Sequence, residues 1–102
     1  MTEGPRFETR AIHVGQEADE ATGATIVPVY QTATFTQQAI GTHRGYEYSR
    51  SGNPTVSALE ARLTVLEGGA ATAAFATGMA ATNAVFMALL NAGDHAIVSD
   101  VA

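Results

Sequence analysis

From residue 53 onward, the alternation of apolar and polar positions changes character several times, and each change predicts an element. Asn53-Pro54 reads as a helix N-cap followed by proline at the first helical position, where a missing N–H costs nothing. Behind it Val56, Leu59, Leu63 and Leu66 recur at spacings of three, four and three, with Glu60, Arg62 and Glu67 off that stripe. The spacing predicts a helix with one buried face, ended by Gly68-Gly69. Ala71 to Ala76 is a short run of small residues with Thr72 and Phe75, too short for a free helix, and predicts a strand covered on both faces. Met79 to Asn91 holds only Thr82, Asn83 and Asn91 as polar positions, which suits a helix buried on most of its surface. Ala92-Gly93-Asp94 is a stop and turn, and His95 to Ser99 reads as a second buried strand. Strand, helix, strand places the chain in the α/β class, with parallel strands and a right-handed crossover. Such a unit leaves sheet edges and an apolar helix exposed, so it reads as unfinished.

Residues 1–52 carry no sustained period and read as an arm, with 53–102 as the opening of a domain. Within the arm, Glu8 to Val14 suits about two helical turns before Gly15. Gln16 to Thr25 has the composition of a loop. Ile26 to Thr36 suits extended chain, with Pro28 limiting any pairing there to an edge.

At 102 residues with 46% apolar and 15% charged positions, composition excludes disorder and allows one small domain. All five basic residues are arginine, and there is no lysine, cysteine or tryptophan, so lysine, thiolate and disulfide chemistry cannot come from this chain. A formal charge of −5 argues against general affinity for nucleic acid or an anionic membrane. Only the stretch 43–62 is net basic, with three arginines against two acids. Polar Thr2, Glu3 and Gly4 follow Met1 with no apolar run, which gives neither a secretory signal nor a membrane span and makes the cytoplasm the expected location. His13, His43 and His95 lack ligand spacing, so no metal site is expected, and no hydrolase motif is present.

Two places remain for chemistry. Thr77-Gly78-Met79 lies at a strand-to-helix turn, where free first-turn N–H groups and the helix dipole suit a phosphate. The dipole contributes about 0.3–1 kcal/mol, so this turn alone would hold a phosphate weakly. The same residues also suit a plain helix cap. Tyr48 and Arg50 lie two apart just before the helix, and in extended chain they point the same way and grip one anion. The competing reading is a packed tyrosine beside a solvated arginine. Glu47 would project to the opposite side of an extended stretch, reaching a ligand only through a turn.

Taken in order, Tyr48-Ser49-Arg50-Ser51-Gly52-Asn53-Pro54-Thr55, Leu59-Glu60, Leu66-Glu67-Gly68-Gly69, Thr77-Gly78-Met79-Ala80-Ala81 and Ala92-Gly93-Asp94 resemble the Cys/Met-metabolism family of pyridoxal-phosphate enzymes. Thr9 to Gly15 and Pro28 to Phe35 are similar to that family's N-terminal arm. The resemblance implies a fold-type I enzyme with an aspartate aminotransferase-like α/β/α large domain, and pyridoxal 5'-phosphate as cofactor. It implies that Tyr48 and Arg50 reach the cofactor phosphate of a neighbouring subunit, while Thr77, Gly78 and Met79 hold it in their own; Thr77 stands where many relatives have serine. A homodimer or homotetramer follows. Glu47 resembles the acidic residue that meets a distal ammonium group in cystathionine-handling members, which favours γ-elimination or γ-replacement on cystathionine or activated homoserine; a plain surface glutamate is the competing reading. Methionine γ-lyase and O-acetylhomoserine sulfhydrylase are the alternatives within the family, and a non-catalytic interaction fragment is the alternative outside it. The lysine that holds the cofactor and the other catalytic groups are expected beyond Ala102, so no catalytic residue is assigned in this chain.

Overall fold

The computed structural model describes residues 4–101. The polar start at Met1 to Glu3 and the last residue, Ala102, lie outside the described residues. Among the described residues three helices occur: α1 (Phe7–His13), α2 (Pro54–Leu66) and α3 (Gly78–Leu89). Each begins or ends where the local chemistry requires. The Asn53 side-chain oxygen accepts from Thr55 N at the start of α2, and Thr77 Oγ1 accepts from Ala80 N at the start of α3. Gly68, at φ 65°, follows the end of α2. Helix α3 stops two residues earlier than the apolar run predicts, because the Asp94 carboxylate accepts the Asn91 N–H at 2.7 Å and pulls the chain into a turn.

Helix α1 packs on α2, and α3 packs on neither. The α1/α2 contact is close. Gly15 has φ 70°, and a Cβ there would stand 2.7 Å from the Ala58 carbonyl oxygen. Beside it the Arg62 guanidinium donates to the carbonyls of Val14 (3.1 Å) and Ile12 (3.4 Å), which closes the C-terminal end of α1. In the following loop, Asp19 accepts from the backbone and hydroxyl of Thr22 and from the Tyr30 hydroxyl. The Thr22 side chain first among these bonds holds the Asp19 carboxyl below its usual range, and desolvation raises that of Tyr30.

Three expectations about burial fail. The Val56, Leu59, Leu63 stripe of α2 is exposed rather than buried, since the end of α1 and the turn at Gly15 sit over Arg62 and Ala58 instead. Residues 71–76 and 95–99 lie outside the helices, with a bend at Ala76, and form no ladder among the described residues. Helix α3, expected to be mostly covered, exposes Met79, Val85, Phe86, Met87 and Leu89. The reason is shared: the surfaces these residues match are not supplied by the chain itself. No apolar side chain among the described residues is buried. The accessible surface is 8645 Å², where a compact protein of this mass exposes about 5,400 Å². The radius of gyration is 17.9 Å against about 13 Å for a globular chain of this length.

The Gly15 contact generates a direct expectation. Gly15→Ala puts a methyl against backbone that cannot yield and a left-handed φ on an L-residue, so it should cost about 1–3 kcal/mol. Denaturant unfolding of the full-length protein checks this, and an unchanged midpoint would show that α1 does not dock on α2 through this corner.

Candidate functional site

The arm meets α2 at Asn53, the one buried residue among those described, at 7% exposure. Its Oδ1 caps α2, while its Nδ2 donates to the Tyr30 carbonyl at 2.9 Å and to Ser49 Oγ at 3.0 Å. Ser49 Oγ in turn donates to the Thr32 carbonyl. Two residues on, Thr55 Oγ1 accepts from Tyr30 N at 2.9 Å and donates to the Pro28 carbonyl at 3.0 Å. The segment Pro28 to Thr32 is therefore laid along the start of α2 by side chains alone. An antiparallel bridge between Thr34 and Tyr48 adds two backbone bonds, Phe35 N to Glu47 O at 3.0 Å and Ser49 N to Ala33 O at 2.9 Å.

Tyr48 and Arg50 do come together, but not as extended chain. The Tyr48 carbonyl accepts from Ser51 N, Gly52 N and Ser51 Oγ, each at 3.0 Å, so the chain turns sharply after Tyr48. The turn folds Arg50 back, and its guanidinium carbon stands 4.8 Å from the centre of the Tyr48 ring. The pair is thus a cation stacked on a ring, in place of two groups side by side. Among the described residues the Arg50 guanidinium has no carboxylate partner and makes no hydrogen bond.

The same turn separates Glu47 from Arg50. Arg50 lines a cavity of about 140 Å³ with Ser49, Ser51, Asn53, Glu60 and Ala74. Glu47 lines an adjoining one of about 200 Å³ with His43, Tyr46 and Ser51, and lies 3.6 Å from His43 Nε2. Ser51 and Gly52 form the wall between the two.

At the start of α3, Thr77 caps the helix as the bland reading expects, accepting from Ala80 N at 3.1 Å. That bond uses an oxygen lone pair and leaves the hydroxyl proton available to donate. Gly78 N and Met79 N donate to no partner among the described residues. Nothing lies within 4 Å of where a Gly78 Cβ would be, and Gly78 is not at positive φ. Neither crowding nor backbone conformation within the chain accounts for glycine here. The cavity lined by Arg50 does not extend to Thr77, Gly78 or Met79.

Sequence reasoning missed two contacts. Glu60 Oε1 accepts from Ala74 N at 2.8 Å, and Thr64 Oγ1 bonds Thr72 Oγ1 at 2.8 Å. Both side chains belong to α2 and both hold the extended segment that leads to Thr77. Their spacing of four on α2, set against alternate residues of an extended segment, was the available signal.

The model of the family described as Cys/Met metabolism PLP-dependent enzyme matches residues 8–102. The chain belongs to this family. The probable cystathionine gamma-synthase of Herpetosiphon aurantiacus is 50% identical over 94 residues, covering 92% of this chain and 29% of that protein. The cystathionine gamma-lyase of Bacillus subtilis (strain 168) is 54% identical over 93 residues, covering 91% of this chain and 24% of that one. Among solved structures, metB from Corynebacterium glutamicum superposes with a TM-score of 0.84 and 46% identity over 92% of this chain and 24% of its own. Cystathionine gamma synthase from Xanthomonas oryzae pv. oryzae in complex with cystathionine gives 0.82 and 39%, over 90% and 24%. The fold is that of the corresponding region of these fold-type I α/β enzymes, and the chain spans about a quarter of the length of the relatives it matches.

The family's cofactor carries a phosphate ester, and the residues fit one. The α3 turn, with two first-turn amides, a hydroxyl able to donate and a backbone left open by glycine, suits a phosphate's acceptors, and Arg50, which lines a separate cavity without a counter-ion, suits its charge.

Asn53 supplies the test of how this region is held. Asn53→Asp keeps the helix cap but cannot donate to Tyr30 O or Ser49 Oγ; Asn53→Ala loses all three bonds. Each should destabilise the full-length protein by about 1–3 kcal/mol in denaturant unfolding. An Asp variant as stable as the parent would reduce Asn53 to a capping residue.

Proposed function

We propose that this chain is the phosphate-binding part of a pyridoxal-phosphate-dependent transsulfuration enzyme, acting on cystathionine or an activated homoserine by γ-elimination or γ-replacement. The observation that carries the reading is the pair of unpartnered donor sets, the Gly78 and Met79 amides on α3 and the Arg50 guanidinium on the arm. A helix N-terminus carries about half a positive charge, and each hydrogen bond to a charged group is worth about 1.5–3 kcal/mol, so amides and arginine together suffice where either alone is weak. Thr77 fixes the first turn through its oxygen, which leaves the hydroxyl proton free to donate. Bound there, the cofactor supplies an electron sink that stabilises carbanions of amino-acid substrates. The apolar surface left open on α3 and the unpaired segments 71–76 and 95–99 suit the rest of the large domain as their cover.

Residues 1–52 act in this reading as the arm of a homodimer or homotetramer, with Tyr48 and Arg50 completing the phosphate site of the neighbouring subunit. Arg50 lines a cavity apart from the α3 turn of its own chain, which supports that assignment.

Arg50→Ala in the full-length enzyme should lower affinity for pyridoxal phosphate about 10- to 150-fold, measured by cofactor titration of the apoenzyme. Arg50→Lys should fall between the two, because a point charge does not reproduce the planar fork. Co-assembly separates the two geometries. Subunits carrying Arg50→Ala mixed with subunits carrying Gly78→Val should regain one intact site per hybrid pair if the arginine acts across subunits, and none if it acts within its own.

Glu47 is proposed to meet the distal ammonium of cystathionine. Its only described partner is an exposed histidine, so the carboxylate faces its cavity ready to take a cation. Glu47→Gln should raise KM for cystathionine about three- to tenfold while leaving KM for O-succinylhomoserine, which has no distal ammonium, within about twofold. An equal shift for both substrates would remove Glu47 from substrate recognition. The same assays, with cystathionine and with O-succinylhomoserine plus cysteine, decide between the lyase and synthase reactions.

A further inference from the structure

The extended segment 71–75 is exposed along most of its length and pairs with no strand among the described residues, yet it delivers Thr77, Gly78 and Met79 to their place. Two side chains of α2 hold it. Glu60 Oε1 accepts the Ala74 N–H at 2.8 Å, and Thr64 Oγ1 meets Thr72 Oγ1 at 2.8 Å. The match is one of register: four residues of helix rise about 6 Å, and two residues of extended chain advance about 6.6 Å. Glu60 and Thr64 are therefore spaced to engage alternate residues of an extended segment running antiparallel to the helix. Ala74 is three residues before Thr77, so whatever fixes its N–H also fixes how the chain enters α3.

We infer that Glu60, supported by Thr64, is a positioning residue for the Thr77-Gly78-Met79 turn, setting the direction of the Gly78 and Met79 amides through its bond to Ala74. The inference rests on the reading of that turn as a phosphate site. Glu60 also lines the cavity that holds Arg50, without pairing with it. Two roles are therefore distinguishable: a carboxylate that acts by its charge on Arg50, and an acceptor that acts by its reach to Ala74. Geometry favours reach, because the Oε1 atom is already committed to the Ala74 amide. A supporting contact of this kind matters because a binding constellation must be held to within about 0.5 Å to work at full strength.

Two near-isosteric variants of the full-length enzyme separate the roles. Glu60→Gln keeps an oxygen at the same reach and loses the charge; Glu60→Asp keeps the charge and falls one methylene short. The readouts are apoenzyme affinity for pyridoxal phosphate, affinity for pyridoxal lacking the phosphate, the ³¹P resonance of the bound cofactor, and amide hydrogen exchange at Ala74 in the apoenzyme. Glu60→Asp should weaken pyridoxal phosphate binding about three- to tenfold, displace the ³¹P resonance and speed exchange at Ala74, with pyridoxal affinity unchanged. Glu60→Gln should match the parent in all four. Should Glu60→Asp fail to fold, Thr64→Val, which removes the Thr72 contact and Thr64's own bond to the Glu60 carbonyl but leaves the Glu60 carboxylate in place, should shift the same readouts in the same direction and by less. The inference is overturned if Glu60→Asp matches the parent, if Glu60→Gln is as impaired as Glu60→Asp, or if pyridoxal and its phosphate ester lose affinity equally. Arg50→Ala measured in parallel tells the two failures apart. If Arg50→Ala displaces the ³¹P resonance and Glu60→Asp does not, only the positioning role falls; if neither does, the phosphate reading falls with it.

Discussion

Both ends of the Asn53 amide are engaged, and the rest of the arrangement follows from that. Its oxygen starts α2, and its nitrogen gathers the Tyr30 carbonyl and the Ser49 hydroxyl. Those two donated bonds act together with the Thr55 hydroxyl and the Thr34–Tyr48 bridge to lay segment 28–32 beside the turn 48–52, where no apolar side chain is buried to do so. A carboxylate could cap the helix equally well but has no proton to give either acceptor. The requirement is for an amide, and Pro54 immediately after it fixes the helix start so that the amide points back toward the arm.

The sequence is most readable where structure is decided within a few residues. Asn53-Pro54, Thr77-Gly78 and Gly15 mark element boundaries through caps and backbone conformation, and these appear within a residue or two of their expected places. The Tyr48 and Arg50 pairing was legible as a proximity but not as a geometry. A period of two assumes extended chain, whereas the Ser51 side chain and two backbone amides converge on the Tyr48 carbonyl and turn it. That competition between local side-chain bonds and extended backbone is ordinary for serine and glycine near a helix start. Glu60 was harder to read for a different reason, its spacing from Thr64 being the only signal. Off the apolar stripe it looks like a solvated charge, and its role exists only once the segment 71–75 has been laid across α2.

Burial was the least legible property, since an apolar pattern says that a face is to be covered and not by what. The stripe of α2 and nearly all of α3 carry apolar side chains whose partners the chain does not contain. At about 25 cal/mol per Å², the roughly 3,200 Å² by which this surface exceeds that of a compact protein of equal mass would represent a large stabilisation withheld if it were all apolar and were then covered. The local caps and the Asn53 hub give each piece its shape, while no apolar burial among the described residues fixes the pieces against one another.

The way Arg50 is held bears on what it can do. A guanidinium meant for a phosphate must be oriented in advance without being neutralised, because a carboxylate partner would have to be displaced before the anion could bind. The Tyr48 ring meets that need: stacking is worth about 0.5–1 kcal/mol at an exposed site, enough to bias the rotamer and too little to satisfy the charge. Its edge donors stay open, which is where a phosphate oxygen binds bidentately. Glu60 is the one carboxylate lining the same cavity, and its Oε1 is spent on Ala74. That bond turns Oε1 toward the segment leading to α3 and away from an ion pair with Arg50, which Glu60 does not form among the described residues; the carboxylate keeps its charge, and the arginine is left without a carboxylate in contact.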